Sequence, residues 1–166
     1  MSPKQKVVVL RSMDEEDKQQ TIKTNKNYKQ GFYKIRHPEK YVGDVSKIVF
    51  RSSWEEQTCR FFDNNPNVLR WSSEEIAIPY VKPTDGKVHR YYPDYWVEYK
   101  DKAGQIIQEI IEVKPEDQVF IQRKKRLTEY DKLTYNINHA KWQAASAFCQ
   151  KKGIKFRILT ERSLFS

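Results

Sequence analysis

Gln105 to Val113 carries four isoleucines, is preceded by the turn sequence Asp101-Lys102-Ala103-Gly104, and runs into Pro115. An apolar stretch of that length, bounded by turn residues and a proline, reads as a central strand covered on both faces. The turn reverses the chain, so Val88 to Lys100, rich in Tyr, Trp and Val, reads as the strand beside it. The remaining elements arrange themselves around this pair. Ser52 or Ser53 can cap a helix reaching about Asp63, which Asn64-Asn65-Pro66-Asn67 would end. Val68 to Trp71 and Ile76 to Tyr80 read as short strands, and Pro83-Thr84-Asp85-Gly86 as a turn. A helix from about Asn136 to Lys152 follows, with Ala140, Ala144, Ala147 and Phe148 on its packed face. Gly153 ends it, and Ile154 to Leu159 is a last strand. Helix, strands with a hairpin, helix and strand make an α/β core with a central mixed β-sheet flanked by helices.

The chain has 166 residues, enough for one domain with a real core. Residues 1 to 30 differ from the rest. They are polar, with four consecutive acids from Asp14 to Asp17 and one candidate strand, Val7 to Leu10, and read as a flexible N-terminal arm. That same aliphatic run is the longest present and falls far short of the roughly 20 residues that span a bilayer. It is also too short for a secretory signal, so no membrane location is expected. Cys59 and Cys149 are the only cysteines, which argues against a disulfide framework. Lys plus Arg is 31 against 22 acids, a formal net charge of +9, and such a surface favours polyanions through phosphate contacts.

Three places hold acidic residues where packing alone would not put them. Counting about 100° per residue along the first helix from Trp54, Glu55 falls between Phe62 and Cys59, inside the apolar face. Glu56 falls with Arg60 and Asp63 on the solvent side. A carboxylate aimed at the core is costly unless paired, for example with Arg51, or bound to a metal. Pro93-Asp94 interrupts the aromatic run Tyr91 to Trp96. Proline and aspartate are both poor strand residues, so the pair marks either a strand start or a distortion that presents the carboxylate. Glu112 and Lys114 share one strand face by period-two alternation, and the hairpin returns that strand beside Asp94. Asp94, Glu112 and Lys114 can therefore converge. Two carboxylates with the Val113 carbonyl suit Mg²⁺, a hard ion that takes oxygen ligands, with Mn²⁺ as a substitute. Lys114 can orient an attacking water or stabilise charge on a phosphate, and Glu55 can complete the metal site.

Arg51-Ser52-Ser53-Trp54-Glu55, Pro93-Asp94 and Glu112-Val113-Lys114 resemble the PD-(D/E)xK nuclease superfamily, in the branch of the TnsA-type and phage junction-resolving endonucleases. With Tyr41-Val42-Gly43, Trp71-Ser72-Ser73-Glu74-Glu75, His89-Arg90-Tyr91-Tyr92 and Pro115 added, the pattern is similar to the head completion nucleases of tailed phages over residues 38 to 160. The resemblance implies a restriction-endonuclease-like core for residues 31 to 166. It also implies a Mg²⁺-dependent nuclease acting on double-stranded DNA with Glu55, Asp94, Glu112 and Lys114 as active site. The role implied is late in phage morphogenesis, enabling head–tail joining, with head or portal proteins as partners. The setting is the virion head or neck, or the host cytoplasm during assembly. Two other readings share these residues: a structure-selective junction-resolving endonuclease, and a non-catalytic connector binding DNA and portal.

Arg51, Arg90, Arg123, Lys124, Lys125, Arg126 and Lys141 are the candidate DNA contacts, the run Arg123 to Arg126 being the densest. His89 is not needed as a base beside metal-activated water. Tyr91, Tyr92, Tyr95 and Trp96 read as packing residues, Glu74-Glu75 as a solvated strand entry, and Cys149 as inert packing.

Overall fold

The structure is a computed structural model in which residues 30–160 are described. Except for Gln30, the expected arm and its candidate strand lie outside those residues. Strands β1 (Gly31–Phe32) and β2 (Val49–Phe50) pair antiparallel ahead of helix α1 (Ser53–Asn64). Next come β3 (Val68–Ser73), β4 (Ile78–Val81), β5 (Val88–Tyr91), β6 (Tyr95–Lys100) and β7 (Ile106–Val113). A short helix α2 (Glu116–Val119), the long helix α3 (Glu129–Lys152) and β8 (Lys155–Leu159) complete the order.

The central sheet has the order β3-β6-β7-β8, antiparallel except for the parallel β7–β8 pair. The isoleucine-rich β7 lies inside it, and the sheet is mixed, as the sequence implied. β6 and β7 form the expected hairpin, closed by Asp101 and by Gly104 at φ 78°. Alternation separates two cores. Tyr95, Val97, Ile111 and Val113 face α1 with Cys59, Phe62 and Trp71. Trp96 and Ile110 face α3 with Trp142, Ala145 and Cys149. The sheet is thus covered by one helix on each face.

Four expectations change. Val88 to Lys100 is two strands, because Pro93 supplies no amide and the chain leaves one sheet for another; β5 pairs with β4 in a separate hairpin. α3 starts at Glu129, seven residues earlier than expected, where a Thr128–Asp131 capping box satisfies its first amides. Its buried face is Asn138, Trp142, Ala145 and Cys149, and Ala147 is exposed; Trp142 sets the orientation because it is the largest apolar group available to fill the core.

The last change concerns α1. Asp63, expected in solvent, is fully buried. Asp63 accepts hydrogen bonds from Tyr33 Oη (2.8 Å) and from the amides of Arg36 (2.7 Å) and His37 (2.8 Å). Lys40 Nζ donates to the carbonyls of Phe62 (2.7 Å), Asp63 (3.0 Å) and Asn65 (2.8 Å), neutralising the exposed carbonyl end of α1. Residues 33–40 are thereby stapled over a helix face that a wheel alone assigns to water.

Candidate active site

The parity of β7 decides where its carboxylate goes. Ile110 fills the α3-side core, so Glu112 points to the same side near the strand end, where it is 5% exposed. Its Oε2 accepts from Tyr91 Oη at 2.5 Å, and its Oε1 lies 3.7 Å from Lys114 Nζ. The Lys114 amide donates to Leu159 O at 2.9 Å, which fixes the residue past the end of β7 against β8.

Asp94 sits in the break between β5 and β6. Its Oδ2 accepts from the Val113 amide at 2.7 Å, so a side chain takes over a ladder bond where the strand pairing stops. Its carbonyl accepts from the Glu74 amide at 3.1 Å. Glu55 is the third residue of α1. Ser52, the N-cap, accepts from the Glu55 amide through Oγ at 3.1 Å, and Glu55 Oε2 reaches back to the Arg51 amide at 2.9 Å. Tyr95 Oη holds the Glu55 carbonyl at 3.0 Å from inside the sheet.

The electrostatics tie these residues together. Burial pushes the Asp94 carboxyl well above the ordinary carboxylate range, and the charges of Glu112 and Glu55 push it further; Lys114 and the Val113 amide oppose. Burial also raises Glu55, with the Glu112 charge adding to it and Arg51 and Lys114 opposing. Burial alone would lower Lys114, but Glu112, Asp94 and Glu55 outweigh it and hold the ammonium firmly protonated. Three carboxylates and one cation therefore share one partly buried place, with Glu112 the most enclosed of the four. That is an excess of negative charge supplied by hard oxygen donors, which fits a divalent cation. Among the described residues no group of three or more Asp, Glu, His or Cys side chains is set to enclose an ion. Mg²⁺ does not require such a cage, since it binds through one or two carboxylates and fills its remaining positions with waters and substrate phosphates.

The expected DNA contacts are placed unevenly. Lys141, on α3, lies 5.7 Å and 5.8 Å from the ring centres of Tyr91 and Tyr80. Burial lowers its pKa, and the charges of Lys114, Glu112 and Asp94 also act on it, so it belongs to the site's surroundings. Arg90 is exposed on β5, one residue before Tyr91. Arg123 pairs with Glu116 and lies over Phe120, and Lys124 pairs with Asp131, while Lys125 and Arg126 are exposed. Arg51 does not point outward alone: its guanidinium grips Glu74 through both terminal nitrogens. Glu74 and Glu75 are 4% and 1% exposed, contrary to the solvated strand entry expected; the chain turns inward at Glu74. His89 is engaged with Asp85 at 2.7 Å. Tyr91 is the site residue that sequence reasoning assigned to packing alone. A tyrosine two residues before Pro-Asp carries no periodic signal, and its partner Glu112 is brought up by another sheet.

The mixed central sheet, restriction-endonuclease-like in its order, presents Asp94, Glu112 and Lys114 at one end. Residues 65–161 match the family described as TnsA-like endonuclease N terminal, a span that contains those three residues and begins after Glu55. The chain belongs to this endonuclease family. It is also 40% identical over 134 residues to the head completion nuclease of Enterobacteria phage T4, covering 75% of this chain and 86% of that protein.

Proposed function

We propose that this nuclease hydrolyses phosphodiester bonds of double-stranded DNA with Mg²⁺, and that it does so during phage head completion, before tails join. The observation that carries the reading is the meeting of Asp94, Glu112 and Lys114 at one end of the sheet, where the Asp94 amide donates to Glu112 Oε2 at 3.4 Å and Lys114 Nζ lies 3.7 Å from Glu112 Oε1. The role in head completion follows from the likeness to the phage T4 protein of that name.

Asp94, Glu112 and the Val113 carbonyl would hold the ion, with Glu55 completing the set. When bound, the ion supplies an acidified water and neutralises charge on the scissile phosphate. The protein's own part is orientation. The Val113 amide fixes Asp94, and Tyr91 fixes one oxygen of Glu112 while Lys114 faces the other. Lys114, kept protonated by its three carboxylate neighbours, orients the attacking water and meets negative charge as it builds on the phosphate. Lys141, Arg90 and the Arg123–Arg126 loop hold flanking phosphates, which places the DNA but reads no sequence. No helix among the described residues is long and apolar enough to cross a membrane, and the protein would work in the virion head or neck, or in the host cytoplasm during assembly.

The test is cleavage of linear duplex DNA against metal: none in EDTA, cutting with Mg²⁺ or Mn²⁺. Phage carrying Asp94→Ala should accumulate filled heads without tails. Metal-independent cutting, or normal infectivity of that phage, would count against the reading.

A further inference from the structure

Glu74 is, among the described residues, the one non-glycine with a positive φ, at 55°. Side chains larger than hydrogen resist this left-handed region, so the residue is held there by what it touches. It touches both halves of the site. Its amide, continuing the β3–β6 ladder by one step, donates to the Asp94 carbonyl at 3.1 Å. Its carboxylate, turned out of strand alternation by the left-handed backbone, takes the Arg51 guanidinium in a two-pronged pair, one arm of it at 3.0 Å. The Arg51 amide in turn holds Glu55 Oε2 at 2.9 Å. The pair is largely shielded, with 5% of the Glu74 side chain and 19% of the Arg51 side chain exposed.

We infer that Glu74 and Arg51 form a positioning clamp that locks the start of α1, and with it Glu55, to the peptide of Asp94. This rests on the proposed assignment of Glu55 and Asp94 to the active site. The two carboxylates come from elements that share no strand pairing: Glu55 from the first turn of α1, and Asp94 from the break before β6. A cation-binding site needs their separation held closely, and the clamp spans that gap. Arg51 is then a positioning residue and not a phosphate contact.

The clamp is tested in the full chain with Glu74→Gln, Arg51→Met and the double variant. Each single change should lower kcat for linear duplex DNA by roughly 10-fold to 100-fold. KM for DNA should stay within about 2-fold, as expected when DNA binding is untouched. The double variant should be no worse than the poorer single one, because both changes break the same link. Without metal or DNA, amide hydrogen exchange at Arg51 should speed up in Glu74→Gln, which retains the shape of glutamate and should fold. A raised KM with unchanged kcat in Arg51→Met would overturn the clamp in favour of a DNA contact. Losses that add in the double variant would also overturn it. If the wild type cuts no DNA, the nuclease reading falls by itself, and unchanged exchange at Arg51 in Glu74→Gln would still overturn the clamp independently.

Discussion

Tyr91 donates its hydroxyl to Glu112 at 2.5 Å across the seam between two sheets, Tyr91 from the β4–β5 hairpin and Glu112 from the central sheet. Burial and then the Glu112 charge raise the tyrosine pKa, so the hydroxyl keeps its proton and remains a donor. The bond leaves Glu112 Oε1 on the side of Lys114.

Tyr91→Phe removes that donor and little else. It should reduce kcat by roughly 10-fold to 100-fold, the usual effect of losing a partner that orients a ligand. It should also destabilise the fold by about 1–3 kcal/mol, because a buried carboxylate oxygen loses its short partner and keeps only the Asp94 amide at 3.4 Å. Steady-state cleavage and denaturant melts read the two effects separately.

Asp94→Asn should abolish cleavage yet raise the melting temperature of the metal-free protein, on the order of 5 °C. The carboxylate is buried against the charges of Glu112 and Glu55, while an amide oxygen can still accept from the Val113 amide. Added Mg²⁺ should raise the melting temperature of the wild type more than that of the variant. A variant that melts lower than wild type without metal would contradict the crowding of charge described for this site.

Lys40→Met should cost about 1–3 kcal/mol by stripping three carbonyls at the end of α1 of their shared donor. It should leave cleavage per folded molecule unchanged, since the staple lies at the far end of α1 from Glu55. Chemical denaturation and an activity assay at 25 °C check both parts.

Glu98 gives a pH dependence. Burial raises its carboxyl, but hydrogen bonds from Arg70 (2.9 Å and 3.0 Å) and Gln108 (2.8 Å) outweigh this and hold it below the ordinary value. A carboxyl lowered in the fold contributes stability that is present above its unfolded pKa and lost as pH falls through the folded one. Wild type should therefore lose stability more steeply than Glu98→Gln as pH drops below about 4.5. Equal acid limbs in urea melts at stepped pH would contradict the assignment.

The legible part of this chain was what is local or periodic. The hairpin, the Ser52 cap, the Gly153 stop and the shared face of Glu112 and Lys114 all follow from spacing. So did the distortion at Pro93-Asp94, although its outcome, a change of sheet, depends on where β4 goes. What escaped were side chains whose environment arrives from elsewhere. Asp63 is buried by residues 33–40, Glu74 by Arg51, and Tyr91 meets Glu112 across two sheets. No window of sequence holds both partners, so a polar residue in such a pair reads as solvated and an aromatic one as packing.

Asp94 and Lys114 are proposed to belong to one metal-dependent catalytic centre. Cleavage of supercoiled and linear duplex DNA in Mg²⁺ by wild type, Asp94→Ala and Lys114→Ala tests it most directly. Wild type should cut both substrates, EDTA should stop it, and each substitution should lower kcat by at least about 100-fold while the protein stays folded. Variants that bind and cut DNA as well as wild type, or a wild type that binds DNA and never cuts it, would contradict it.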